Sequence, residues 1–176
     1  MASRRALVVN VVLYQAGWFA CVLGAAHGLP WLGALAAAAI VAVHLAQATR
    51  PAPELGLVAL AAVLGAVFES ALAASGWIRF EAGVLLEGAA PYWMVALWAV
   101  FATTLNVSLR ALRGHPAWTA VLGAVGAPLA YLAGARLGAM ELIASGAALV
   151  AIGVGWGLLA PLLMRAAQRL DGFAPA

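Results

Sequence analysis

The chain has 176 residues, 66% of them hydrophobic and only 9% charged, against about a quarter charged in an ordinary soluble domain. Water does not solvate a surface of that composition, so lipid is the expected solvent and the length allows a single integral domain. All nine basic residues are arginine, which excludes a Schiff-base lysine, a pyridoxal linkage or a lysine nucleophile.

The formal net charge of +3 comes from arginines placed singly or in pairs at segment ends. That pattern reads as membrane topology rather than a nucleic-acid footprint, so no nucleic-acid partner is expected. The lone Cys21 sits in an apolar run, leaving neither a disulfide framework nor a thiolate metal site. The bias toward Ala, Gly and Arg fits a bacterial chain from a GC-rich genome.

A bilayer core takes roughly 20 apolar residues in helical form, and six runs meet that length approximately. The first, 6–26, follows Arg4 and Arg5 as a secretory signal would, but Asn10, Tyr14 and Gln15 interrupt it, and it is read as an uncleaved span. Gly28 and Pro30 separate it from the second run, 30–48, and Pro51 and Pro53 precede the third, 55–76. The long connection 77–90, WIRFEAGVLLEGAA, mixes apolar residues with Arg79, Glu81 and Glu87. It is expected to lie along the interface or fold back over the bundle. The fourth run is 91–109; Gly114 and Pro116 then break the chain before the fifth, 117–138, and the sixth is 142–164. The fold class is therefore all-α: a polytopic bundle of six transmembrane helices.

Arginine asymmetry orients the bundle with both termini in the cytoplasm. Arg4, Arg5, Arg50, Arg110, Arg113, Arg165 and Arg169 then lie inside, and only Arg79 and Arg136 outside. Trp31, Trp77, Tyr92 and Trp93 at outer ends and Trp118 at an inner end agree with interfacial aromatic belts. Ala36–Ala39, the pair Gly134 and Gly138, and the run Gly153, Gly155, Gly157 are small-residue patches that let helices approach.

Polar side chains within hydrocarbon are costly unless paired, which makes each a candidate for function. At 1.5 Å per residue, position along a helix converts to depth. An inner layer contains Asn10, His44, Gln47, Asn106 and Ser108, with Thr103 and Thr104 a turn deeper. An outer layer contains Glu69, Tyr131 and Arg136, at depths that allow a Glu69–Arg136 ion pair if the third and fifth spans touch. Gln15 lies between the layers. Asn10, Gln15, His44, Glu69, Asn106, Tyr131 and Arg136 are thus the candidate substrate-binding residues. Against this stands helix glue: Asn, Ser and Thr commonly join membrane helices, and Arg136 has the reach to snorkel to the interface. Pro128, after Gly126, interrupts the fifth span, where the two residues either border a cavity or bend the helix to fit.

Several constellations are missing. His27, His44 and His115 fall on different segments without HxxxH or HExxH spacing, so no metal is expected. There is no Walker loop, GxSxG or Asp-x-Asp pair, which argues against an ATP-driven pump or a metal-dependent hydrolase, and no cofactor is expected.

Three stretches, NVVLYQAGWFACVLGAA at 10–26, PYWMVALWAVFATTLNVSLR at 91–110 and VGAPLAYLAGARLGA at 125–139, give the chain a further identity. It resembles, over its whole length, a family of small bacterial inner-membrane proteins catalogued only as a domain of unknown function. The matching residues are Asn10, Gln15 and Trp18 in the first span, and Trp98, Phe101 and Asn106 in the fourth. In the fifth they are Gly126, Pro128, Tyr131 and Gly134; Glu69 stands where the family often has aspartate. The resemblance implies a multi-pass protein of the bacterial inner membrane and brings no reaction with it.

Two polar layers beside a Gly/Pro-interrupted helix, without catalytic machinery, point first to binding or transport of a small solute or lipid within the bundle. The runner-up is a membrane-embedded lipid-modifying enzyme or accessory subunit, with Glu69 or His44 as acid/base and Asn106 and Tyr131 as hydrogen-bonding partners. The third reading is a structural subunit of a larger membrane complex. Membrane lipid is the partner common to all three.

Overall fold

The computed structural model describes residues 4–173. Its six α-helices are α1 (Arg4–Ala26), α2 (Pro30–Gln47), α3 (Pro51–Ala74), α4 (Tyr92–Leu105), α5 (Pro116–Arg136) and α6 (Ser145–Arg169). Proline opens α2, α3 and α5, where the first turn needs no donor and the ring pre-sets φ. Helices α1 and α5 end in paired backbone bonds, Leu29 N–H to Gly24 O with Gly28 N–H to Ala25 O, and Ala139 N–H to Gly134 O with Gly138 N–H to Ala135 O. This C-terminal motif needs a left-handed residue, supplied by Gly28 at φ 71° and Gly138 at φ 90°.

Five of these helices are long and apolar enough to cross a membrane; α4, with 14 residues, is shorter. The apolar run 91–109 suggests a full span, but the helix stops at Leu105. The chain turns there because the Asn106 side chain is drawn into bonds with α3 and the end of α6, and Leu109 N–H returns to Thr104 O. A short helix suits the centre of the bundle: α4 packs against α1, α2, α3 and α6, and buries Trp93, Trp98, Val100, Ala102 and Leu105.

The closest helix pairs rest on glycine. A Cβ on Gly33 of α2 would stand 2.5 Å from Cys21 Cα of α1, and one on Gly123 of α5 would stand 2.4 Å from the Trp156 carbonyl oxygen of α6. The run Gly153, Gly155, Gly157 serves the same end, fitting against Ala124, Pro128 and the Phe68 ring. Helix α5 packs chiefly on α6, whereas α1 packs on α2 and α4. A cleft is left between α1 and α5.

At the end opposite most arginines, 77–90 folds back over the bundle. Its two-residue strand β1 (Ile78–Arg79) pairs antiparallel with β2 (Glu141–Leu142), and Arg79 bonds Glu141. Trp93 Nε1 donates to Ala82 O, Tyr92 N–H to Gly83 O, and Ala90 N–H to Ser70 Oγ. Leu85 and Leu86 project outward, 77% and 73% exposed.

Candidate functional site

Glu69 lies on the inward face of α3 with Ala61, Gly65 and Leu72, fully buried. Its Oε1 accepts two hydrogen bonds, from Trp98 Nε1 at 2.9 Å and from the Tyr131 hydroxyl. Its Oε2 is buried with no hydrogen-bond partner among the described residues. Trp98 reaches the carboxylate because Gly65 leaves room for it: a Cβ there would lie 2.3 Å from the indole. Trp156 stacks on Trp98 at 4.3 Å between centroids and 28° between planes, and its buried Nε1 also has no partner in hydrogen-bond geometry.

Trp98, Tyr131 and Trp156 separate Glu69 from a cavity of about 420 Å³ walled by α1, α4, α5 and α6. The wall is apolar apart from Gln15, Thr104, Ser108 and Thr119 and the polar tips of its aromatic residues, and no charged residue lines it. Val11 and Gln15 of α1 and Leu122 of α5 line it and are also exposed. These three mark a mouth between α1 and α5, about two to three turns in from the arginine-rich end. Gly126 faces the cavity, and a Cβ there would meet nothing within 4 Å. Pro128 instead packs toward Gly153 of α6.

The second polar centre sits at the arginine-rich end, around Glu54 in the first turn of α3, which is also fully buried. Its Oε1 accepts Asn106 Nδ2 at 2.6 Å and the Gly172 backbone N–H at 2.7 Å, and its Oε2 stands 2.8 Å from His44 Nε2. Asn106 Nδ2 also bonds Leu170 O at 3.1 Å, and its Oδ1 accepts from Arg113. Asp171 accepts from Arg113 at 2.7 Å and pairs with Arg110 at 3.0 Å, while the Arg50 side chain donates to Asp171 O at 2.8 Å. The segment 171–173 is thereby strapped across the bundle end, with Phe173 against the His44 ring at 5.1 Å. Burial raises the Asp171 carboxyl, but the Arg113 hydrogen bond, the Phe173 N–H and the charges of Arg113 and Arg110 outweigh it and hold the group below its usual value. Beside this centre Asn10 donates to Thr103 O at 3.1 Å. A second pocket, of about 320 Å³, is lined by Asn10, His44, Gln47, Thr103, Asn106 and Arg110 among others.

The structure thus groups Asn10, His44, Gln47 and Asn106 at one level, as their depths suggest, and puts Tyr131 on Glu69. Ser108 departs from that group and lines the larger cavity. The Glu69–Arg136 ion pair is not formed. Arg136 is exposed in the last turn of α5, and the carboxylate takes the nearer donors Trp98 and Tyr131. Sequence reasoning passes over Glu54, Asp171, Arg113 and Trp156. Glu54 follows Pro51 and Pro53, which read as loop, so it falls just outside the apolar run. The signal available was an acidic residue in the first turn of an apolar helix, where the helix dipole favours it.

The apolar bundle, with its two buried glutamates hydrogen-bonded inside it, is that of a multi-pass α-helical membrane protein. Within that class the chain belongs to the family described as protein of unknown function (DUF2878), whose match spans residues 7–162. No curated protein and no solved structure matches it. Of the residues that carry the family resemblance, Gln15, Trp18, Trp98, Phe101, Gly126 and Tyr131 line the larger cavity, and Asn10 and Asn106 the smaller.

Proposed function

We propose that this protein binds a lipid-soluble molecule in the cleft between α1 and α5, with entry sideways from the bilayer. The observation that carries the reading is the apolar cavity of about 420 Å³ whose mouth, at Val11, Gln15 and Leu122, opens between two helices long and apolar enough to cross a membrane. That volume falls within the range of small-molecule sites, about 300–1,000 Å³. A water-soluble solute has no favourable route to an opening at that depth, whereas a molecule dissolved in the bilayer is already there. The setting is the inner membrane of a bacterium with the arginine-rich end in the cytoplasm, supported by seven of nine arginines at that end.

The lipid-modifying enzyme reading has less support, since Glu69 and His44 belong to different centres and each is occupied by its own neighbours. Native mass spectrometry with lipid analysis, on protein gently extracted from its own membrane, tests the proposal. Wild type should retain a specific molecule that Gly126→Phe, which fills the cavity, does not. If only bulk lipid co-purifies and Gly126→Phe and Glu69→Gln alter nothing but stability, the cavity is a packing defect and the structural-subunit reading takes its place.

A further inference from the structure

We infer, on the reading that this cleft holds a lipid-soluble molecule, that its occupant carries an uncharged planar conjugated ring, quinoid or aromatic, on an apolar tail. The starting point is what a bilayer does to selectivity. Lipid tails are as apolar as leucine, so moving an alkyl chain from lipid into an apolar cavity brings no hydrophobic gain. A cavity that selects one molecule out of that solvent must offer contacts that acyl chains cannot match.

This cavity offers rings. Tyr14, Trp18, Trp98, Phe101, Tyr131 and Trp156 line it. Four of them form one continuous wall: Tyr14 to Phe101 at 6.3 Å, Phe101 to Trp156 at 5.0 Å, and Trp156 to Trp98 at 4.3 Å between centroids. The first two contacts are edge-on and the third is stacked, and each ring carries a quadrupole with a negative face and a positive edge. Such quadrupoles attract another π system in offset or edge-to-face geometry, beyond what area burial alone supplies.

The polar lining narrows the head group further. No charged residue borders the cavity, which excludes a phosphate or ammonium head, since a charge there would be desolvated without a partner. The Thr104 hydroxyl is already bonded to Phe101 O, and Gln15 stands at the exposed rim. The volume holds roughly fourteen water-sized groups. A substituted ring fits inside, and a longer tail leaves through the mouth between α1 and α5.

Three of the seven tryptophans, Trp18, Trp98 and Trp156, line the cavity, so quenching of their fluorescence by decyl-benzoquinone reads occupancy in the detergent-solubilised protein. Saturable quenching is expected, with an apparent dissociation constant at least tenfold weaker in Gly126→Phe. Decanol, with the same tail and no ring, should displace the quinone at least tenfold less well than a second, non-quenching aromatic-headed probe, decylbenzene. Gly126→Val gives the same comparison with a smaller side chain if the phenylalanine variant does not fold, and the decanol competition needs no variant. If decanol competes as well as decylbenzene, the ring inference is overturned while the cleft reading stands. If quenching rises without saturation and equally in wild type and variant, both are overturned.

Discussion

Glu54 and Glu69 belong to the same helix, and both are 0% exposed, yet their surroundings differ in kind. Every oxygen of Glu54 is engaged: Asn106 and Gly172 on one, His44 on the other. Glu69 has two donors on Oε1 and none on Oε2, and those donors are the aromatic side chains that face the cavity. A carboxylate whose partners come from α2, α4 and the chain after α6 is a clamp, tying together elements far apart in sequence. A carboxylate held on one side only, behind a ring wall, instead fixes the orientation of the residues that line a space. Burial does not distinguish the two glutamates; completeness of hydrogen bonding does.

The sharpest way to break this comparison is to remove each carboxylate in turn. Glu54→Ala leaves His44, Asn106 and the Gly172 N–H without their acceptor and is expected to cost about 3 kcal/mol or more, since each buried donor left unsatisfied costs about 1–3 kcal/mol. Glu69→Gln keeps an oxygen for Trp98 and Tyr131 and is expected to cost about 1 kcal/mol. Thermal unfolding in detergent reads both, and equal losses would mean that Glu69 is a clamp as well.

Next in size is Gly65→Ala. The added methyl would stand 2.3 Å from the Trp98 indole, and overpacking of a tight contact costs about 1–3 kcal/mol. Relief requires Trp98 to swing off Glu69 and Trp156. The variant should therefore change near-ultraviolet circular dichroism as well as melting temperature, while Glu54→Ala should leave the tryptophan signal of the folded protein in place.

The strap at the other centre yields a smaller, pH-dependent effect. The folded-state value of Asp171 is depressed, so its contribution is present above the unfolded value, about 3.9, and is lost as pH falls through the folded one. The protection factor of the Gly172 amide, whose N–H is held by Glu54, taken against the intrinsic exchange rate at each pH, should be the same at pH 7 and pH 5 and fall only below the ordinary carboxylate range. Asp171→Asn should exchange faster already at pH 7. Loosening between pH 7 and pH 5 would show that the strap depends on some other group.

Hydropathy made the helices legible because lipid is a uniform solvent: apolar length alone marks a span, and proline and glycine mark its ends. The same logic failed for α4, where the apolar run continues past Leu105 but the Asn106 side chain is committed to Glu54 and Leu170. Depth arithmetic brought Asn10, His44 and Asn106 to one level, and Glu69 and Tyr131 to another. It left a Glu69–Arg136 pair open beside snorkelling of Arg136, because depth carries no information about rotation around the helix axis. An arginine was the obvious partner by charge, but Trp98 and Tyr131 are the donors that face α3. Glu54 and Asp171 stayed invisible because they border apolar runs, and what buries them is a tertiary event, the return of residues 171–173 across the bundle end. The cavity was legible only as a hint in Gly126 and Pro128, since a void belongs to the arrangement of four helices and to no one stretch of chain.

The smallest effect is the one most particular to the cavity. Glycine within a helix costs about 0.5–1 kcal/mol relative to alanine, and Gly126 has open space where Gly65 has an indole. Gly126→Ala is therefore expected to leave the melting temperature unchanged or raise it slightly, the opposite sign to Gly65→Ala. If Gly126→Ala destabilises as Gly65→Ala does, the space beside Gly126 is not empty in the folded protein in its native membrane extract. A tightly held occupant would then be the first cause to look for, and its loss on exchange into fresh detergent should restore the expected sign.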